Sequence, residues 1–519
     1  METSIPRALE LLGIETRTPL DPDWEFYSAT YNTRVPAVPK IVVLPASTAQ
    51  VSQAVRWAAA RGLKVQARSG GHSYASHSNG GVDGCAVVDL RKLQDVSLAP
   101  DGVVRVGGGV RLGTLAGALL ERRGGRALAH GTCPAVGVGG HFTHGGFGFT
   151  SRCWGLATDQ VVALDVVMAD GRVVRASGSE NRDLFVAMRG AADSFGIAVN
   201  FYLRTQPAPK SIVKWSVDLP GAMRTIESAV GAFKHIQSFA RDASVVDRDL
   251  GMVVFLSHNR FTLEGTYLGD IGKFTSKILP ALLCGFPWEE SIRVDLRQVD
   301  WLTLLRLLAG DTGLEVGPSY AEHHMFFAKS ACVSHPGLSK DVLEMYFKYL
   351  MGKGPSAPVD YFIGVQLYGG ADSQITNSIV DDSCAKRDAM WVFQHYGSVD
   401  GGGEFPGEGI RFIEGLNKAL GPGHGASNNY ADTSLGPDEA QKLYYGKKLK
   451  GLMRLKGALD PDDVFSHPQS IRKELVSGAD AYEGGLDGTC TMEPHDANGT
   501  RTYKATGIVV DEGPEIEEV

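Results

Sequence analysis

Three short stretches of the chain concentrate side chains that could do chemistry. The first is Arg68-Ser69-Gly70-Gly71-His72-Ser73-Tyr74. Two glycines after a strand-like run expose consecutive backbone N–H groups, a nest able to hold a pyrophosphate. His72 then places an imidazole beside whatever the nest holds. Taken alone, a plain β-turn with a solvated histidine accounts better for this stretch. The second runs from Gly131 to Gly148, and nine of its 18 positions are Gly, Pro or Cys. Its Cys133 offers a thiol, although a lone cysteine is more often a small buried filler than a reagent. A run so rich in glycine loses too much chain entropy to be ordinary core unless a ligand contributes stabilisation. The third is Ser427-Asn428-Asn429-Tyr430-Ala431-Asp432. A packed core tyrosine is the ordinary account of Tyr430. To act as a base near neutral pH, its pKa of ~10 would have to be brought down by cations or hydrogen-bond donors.

Familiar nucleotide, zinc and serine-nucleophile motifs are missing. No G-x-G-x-x-G follows a strand, and there is no G-x-x-x-x-G-K-[ST], H-E-x-x-H or G-x-S-x-G. The glycines must serve another ligand. They are the compositional outlier, 64 of 519 residues, with 20 in the 83 positions from 66 to 148. Interleaved apolar residues and the lack of a Gly-X-Y period exclude a linker and collagen. Backbone pressed close to a bound group explains such a density. The formal charge of −8 argues against a nucleic-acid partner and against a polybasic membrane clamp. Seven scattered cysteines without a C-x-x-C make neither a disulfide scaffold nor a zinc site, so no metal is expected. No run of ~18 apolar residues provides a spanning helix. Met1–Pro6 lacks a basic and then apolar leader, so an intracellular protein is expected; a secreted one whose signal had been removed would read the same.

The elements that must position the three stretches follow from local pattern. Residues 41–46 read as a buried strand. Ser47 with Gln50 makes a capping box for a helix whose Val51, Ala54, Val55 and Ala58 share a face and which stops at Gly62. Residues 64–67 return as a strand and deliver the first glycine stretch. Residues 86–90 and 103–106 are strand-like, 112–122 form a short helix, and Asp170-Gly171 joins 161–168 to 172–176 as a hairpin. After Gln206-Pro207-Ala208-Pro209 the composition changes. Helical stretches at 222–241, 338–351 and 372–389 alternate with strands at 251–257, 261–267, 323–330, 360–368 and 390–397, which suits an α+β domain with an antiparallel sheet. Residues 444–471 read as a helix and a closing loop. The expected organisation is 1–206, 207–428, a C-terminal return at 429–475, and a polar tail at 476–519.

Together, Arg-Ser-Gly-Gly-His-Ser-Tyr at 68–74 and Gly-Thr-Cys-Pro-x-Val-Gly-x-Gly-Gly-His at 131–141 resemble the berberine-bridge-enzyme-like branch of the vanillyl-alcohol-oxidase superfamily, and within it the fungal oligosaccharide oxidases. Gly190-Ala191, Phe195-Gly196-Ile197, Tyr444-Tyr445-Gly446, Asp460-Pro461, Phe465 and Gln469-Ser470-Ile471 extend the resemblance over about residues 30–471. It implies an α+β, two-domain fold, with an FAD-binding domain and a substrate domain built on an antiparallel sheet. It implies FAD held twice, by His72 on the 8α-methyl and by Cys133 on C6 of the flavin. Arg68, Ser69, Gly70, Gly71, Ser73, Gly131, Gly137, Gly139, Gly140, His141, Gly145, Gly146 and Asn429 would surround the cofactor, with Gly196, Ile197 and Val199 on its adenine and ribose side. Val136 would be the small residue that lets dioxygen reach the flavin.

The resemblance also makes Tyr430 the general base, with Asp432 beside it. Gln366 stands where relatives carry an acid that supports the base. Tyr74, Glu264 and Gln394 would contact a sugar. The implied reaction oxidises an alcohol or hemiacetal carbon, such as an oligosaccharide C1–OH to the lactone, by hydride transfer to flavin N5. Dioxygen is reduced to hydrogen peroxide. The expected partners are a small alcohol or oligosaccharide and dioxygen, with no nucleic acid or membrane, and the protein is expected to be a monomer. The alternative is an intracellular biosynthetic oxidase of a secondary-metabolite or aromatic alcohol.

Overall fold

The apolar run Ile41–Leu44 is buried on both faces, as a central strand of a covered sheet must be. It leads through the helix Thr48–Ala59 to Val65–Arg68, and Ala86–Asp89 lies between and parallel to both strands. Glu15–Arg17 adds an antiparallel edge. Ser47 caps the helix as expected, accepting from Gln50 N, whereas the Gln50 side chain turns back to Ala46 N at 2.7 Å. The computed structural model describes residues 7–121, 125–286, 292–310, 313–317, 323–383, 387–401 and 403–474. The expected polar tail at 476–519 lies outside them.

A second, antiparallel sheet follows in the order Val96–Leu98, Val103–Gly107, Ile197–Arg204, Val161–Val167, Val173–Ser177. The Asp170-Gly171 hairpin forms where its turn residues put it, with Gly171 at φ 79°. Gly131–Gly148 packs against this sheet, and its Val138–Thr143 is a short helix whose Val138 and Phe142 enter the core.

Seven antiparallel strands make the third sheet: Arg293–Val299, Ile212–Asp218, Phe261–Tyr267, Leu250–Leu256, Asp360–Leu367, Ala389–Val399 and Met325–Ser334. The two-residue period sorts its faces. Ile363, Val365 and Leu367 join Val254 and Phe393 under the helices Ile226–Arg241, Lys340–Lys353 and Gly407–Ala419. Phe362, Gly364 and Gln366 point the other way, and register sets Gly364 opposite Gln394 and Gln366 opposite Val253. The uncovered face thus presents two glutamines and several aromatic rings.

The helix expected over 372–389 is not there among the described residues. Arg152, almost wholly buried, donates to the carbonyls of Gly369 at 3.0 Å and of Ala371, and Gln374 N returns to Arg152 O at 2.8 Å. Asp372 takes the left-handed conformation, φ 56°. A tertiary anchor on these carbonyls overrides local helical preference. Near the C-terminus, Pro437–Tyr445 and Leu449–Leu459 are helices and residues 460–471 close against the first two sheets through Val464, Phe465 and Ile471. Lys456 Nζ fixes that closure by donating to Ser194 O, Phe465 O and Asp460 Oδ2 at 2.7–2.8 Å. Among the described residues no helix is long and apolar enough to cross a membrane.

Candidate active site

The three chemically suggestive stretches meet around one cavity of about 540 Å³. Its wall includes His72, Cys133 and Tyr430, together with Gln366 and Gln394 from the uncovered face of the large sheet. Ser69, Gly70, Gly71, Ser73, Tyr74, Gly131, Val136, Gly137, Gly139, Gly140, His141, Gly196, Ile197 and Asn429 also line it, as the sequence placed them.

The two glycine-rich loops touch backbone to backbone. A Cβ on Gly70 would lie 2.7 Å from Ala135 O and on top of the Gly137 amide, and one on Gly137 would meet Gly70 N and Ser69 Cβ. Ser69 Oγ stitches the contact by donating to Gly108 O at 2.6 Å and accepting from Gly139 N at 3.2 Å. Gly140 differs: a Cβ there would meet nothing within 4 Å, so its missing side chain leaves room on the cavity wall. His141 Nε2 accepts from Gly131 N at 2.9 Å, and burial drives its pKa down to about 3, so this ring is a neutral brace within the second loop. Burial, helped by Arg111 and His324, pushes His72 down to about 4. The unprotonated imidazole is the nucleophilic form. Cys133 is exposed on the loop opposite.

Five expected cofactor or catalytic residues lie outside the lining. Arg68 is buried in an ion pair with Asp89, 2.8 Å, and braces the loop start through Asn79. Gly145 and Gly146 use their carbonyls for the amides of Thr158 and Ala157 and so shape a turn. Val199 packs in the core under the first sheet. Asp432 points away from Tyr430: Lys329 holds it at 2.5 Å, and Ser434 donates to Oδ1 through N and Oγ. Of the expected sugar contacts, Glu264 is also outside, paired with Arg260 at 3.0 Å two strands away from Gln366. Tyr74 is at the cavity, its hydroxyl taking a 3.0 Å bond from Gln394 Nε2 and its ring set among Phe326, Tyr396 and Tyr430.

Tyr430 sits in the 3₁₀ turn Asn428–Tyr430, and Gln366 Nε2 donates to its hydroxyl at 2.7 Å. Gln366 Oε1 is buried without a hydrogen-bond partner. The lowered pKa expected for a tyrosine base is not what the protein provides. Burial raises Tyr430 to about 12, and the Gln366 bond offsets only part of that. Among the described residues no lysine or arginine lies in the cavity wall to do more. Sequence reasoning missed four residues here, His77, His144, Asp193 and His467, which close one end of the cavity. His144 stands in the second glycine-rich stretch, but nothing in the local patterns of His77, Asp193 and His467 marks them, because they come from separate segments.

Comparison with known proteins agrees with this geometry. The FAD binding domain family matches residues 39–177, and the berberine and berberine-like family matches residues 428–472. A chitooligosaccharide oxidase of Gibberella zeae is 33% identical over 86% of this chain and 90% of its own. The structure of a xylooligosaccharide oxidase from Myceliophthora thermophila in complex with xylobiose superposes with a TM-score of 0.85, at 33% identity, over 91% of this chain and all of the other. A glucooligosaccharide oxidase from Acremonium strictum, described with a 6-S-cysteinyl, 8α-N1-histidyl FAD, superposes with a TM-score of 0.84 at 30% identity, over 90% and 99% of the two chains. The cavity of this chain fits that cofactor. It has an imidazole and a thiol on facing loops, the open space over Gly140, and an unpartnered amide oxygen on Gln366. The α+β fold, the paired glycine loops and these relatives together place the chain in the berberine-bridge-enzyme-like branch of the vanillyl-alcohol-oxidase superfamily, as an FAD-linked oxidoreductase.

Proposed function

We propose that the enzyme oxidises the C1 hydroxyl of an oligosaccharide to the lactone, with dioxygen as the final acceptor and FAD held by both His72 and Cys133. The observation that carries this reading is the Gln366–Tyr430 pair, 2.7 Å apart, in the same cavity wall as His72 and Cys133. Bound FAD supplies the acceptor for the hydride that leaves C1. Tyr430 takes the hydroxyl proton as the carbonyl forms, and Gln366 Nε2 holds the phenol oxygen in place and stabilises its negative charge. Tyr74 and Gln394 present an aromatic edge and an amide to the sugar. The two electrons and two protons that leave the substrate reduce dioxygen to hydrogen peroxide.

A neutral phenol has no vacancy for a proton, so the competent form of Tyr430 is the phenolate. With the pKa raised to about 12, its population grows with pH across the whole neutral range. The anaerobic rate of flavin reduction should therefore climb by ~tenfold per pH unit at first. Anaerobic bleaching of the flavin by a panel of chito-, xylo- and gluco-oligosaccharides and aromatic alcohols tests the substrate. Bleaching by oligosaccharides is expected; bleaching by aromatic alcohols alone would replace this reading with the biosynthetic one.

The double attachment has its own expected result. Cys133→Ala should keep its flavin in the pellet after acid precipitation, through His72, while the His72→Ala/Cys133→Ala double variant should release it. Release of all flavin from the unmodified protein would refute covalent attachment.

A further inference from the structure

His77, His144, Asp193 and His467 line one end of the cavity, and the chemistry above uses none of them. Ligand atoms of His77, Asp193 and His467 all lie within 4.8 Å of one another, which raises the question of a metal. The hydrogen bonds answer against it. Gln469 N donates to His467 Nδ1 at 3.2 Å, so the ring proton sits on Nε2, which lies 3.0 Å from Asp193 Oδ2. A nitrogen that donates its proton to a carboxylate has no lone pair for a cation.

The same accounting assigns His144 a charge. Thr143 Oγ1 donates to Gly139 O at 2.7 Å, so it can only accept from His144 Nδ1, 2.9 Å away; Gly140 O, at 3.1 Å, is a second acceptor for the same nitrogen. Nδ1 therefore carries a proton. Nε2 lies 3.2 Å from Asp193 Oδ2, an ion contact rather than an aligned hydrogen bond, and a bare lone pair there would face a carboxylate. His144 is thus an imidazolium paired with Asp193. Burial works against both charges, yet the pairing prevails: His144 is held above its ordinary pKa and Asp193 well below its own. Among the described residues, the other titratable groups that face the pair are His467, against the carboxylate, and His77, stacked on His467 with centroids 3.8 Å apart.

The segments joined by this carboxylate are those that hold the Tyr430 turn. Asn429 Nδ2 donates to His144 O at 2.8 Å, and Asn428 Nδ2 donates to Gly190 O, three residues before Asp193, at 2.7 Å. Gln469, two residues after His467, donates to Asp432 O at 2.7 Å and Leu435 O at 3.1 Å. We propose that Asp193 is a positioning residue for Tyr430, its carboxylate clamping His144 and His467 and through them the backbone anchors of residues 428–435. This rests on Tyr430 being the base. The clamp is intact while His144 is protonated and loosens as pH rises through its raised pKa. The climb of flavin reduction with pH should accordingly bend at that point.

Asp193→Asn, assayed as the flavin-loaded protein, tests the clamp. Anaerobic flavin reduction at saturating substrate should fall by ~tenfold or more, as expected for a misplaced reacting group, with a much smaller change in the substrate concentration for half-saturation. The bend in the pH profile should move to lower pH, because His144 loses the charge that raised its pKa. In ¹⁵N spectra of histidine-labelled holoprotein at neutral pH, both His144 ring nitrogens should be protonated, and Asp193→Asn should return the ring to a neutral tautomer. A rate loss with an unmoved bend would mean a merely structural role, and a neutral His144 in the unmodified protein would overturn the proposal even if the variant failed to fold. Tyr430→Phe separates the two ideas: if it retains reduction, the base assignment fails; if it abolishes reduction while Asp193→Asn matches the unmodified protein, the clamp fails.

Discussion

Tyr430→Phe should lower the anaerobic rate of substrate-driven flavin reduction by ~10²–10⁴-fold, the range in which a positioned general base acts. The substitution removes one oxygen and leaves the ring, whose tilted contact with Tyr74 at 5.7 Å holds it in place. The turn is kept by backbone and by neighbours, Tyr430 N on Ser427 O and Asn428 and Asn429 on Gly190 and His144, so geometry survives. Gln366 Nε2 loses its acceptor, a local cost of ~1–3 kcal/mol that the cavity can relieve with water. The flavin spectrum and the acid-stable attachment should be unchanged, because His72 and Cys133 are untouched. Stopped-flow reduction with the best oligosaccharide of the panel measures the effect. A loss below ~tenfold would remove Tyr430 from the reaction. The remaining slow rate should also lose its climb with pH, since the group responsible is gone.

Gly137→Ala should abolish flavin incorporation and lower the melting temperature sharply. The new methyl would fall on the Gly70 amide and against Ser69, both part of the tight loop-to-loop contact, and backbone cannot swing aside as the end of a long side chain can. Overpacking of this kind costs ~1–3 kcal/mol where neighbours can shift, and more where they cannot. Gly140→Ala is the matched control, three residues away. Its methyl meets nothing of the protein within 4 Å, so the fold and the melting temperature of the flavin-free protein should be kept. The methyl instead enters cavity space, and flavin occupancy should fall. Thermal melts together with flavin-to-protein absorbance ratios distinguish the two. Equal effects at both positions would show that the glycines matter only as flexible backbone and not for close approach.

Much of the fold was legible because its signals are local. The strand–cap–helix–strand run from Ile41 to Arg68, the hairpin at Asp170-Gly171 and five of the seven strands of the large sheet were readable from period, capping and turn chemistry within a few residues of each other, whereas Ile212–Asp218 and Arg293–Val299 were not expected. The helix expected over 372–389 failed for the complementary reason, since Arg152 captures the carbonyls before it from more than 200 positions upstream. The same division holds at the site. His72, Cys133 and Tyr430 stand in short motifs whose order along the chain is informative, and all three reach the cavity. Asp432 and Glu264 were adjacent to the right residues in sequence or sheet, yet Lys329 and Arg260 take their carboxylates elsewhere. Proximity along a strand does not say which cation a carboxylate will find.

By itself the sequence determined the glycine-rich loops and the places of His72, Cys133 and Tyr430 in short motifs, because glycine spacing and residue type are written in consecutive positions. Only the tertiary structure decided how those groups are tuned. The amide of Gln366 on Tyr430, the burial that raises that phenol to about 12, and the carboxylate of Asp193 shared by His144 and His467 all join residues far apart in the chain. Protonation depends on the sum of desolvation and neighbouring charge at one point in space, and that sum exists only once the segments have packed together.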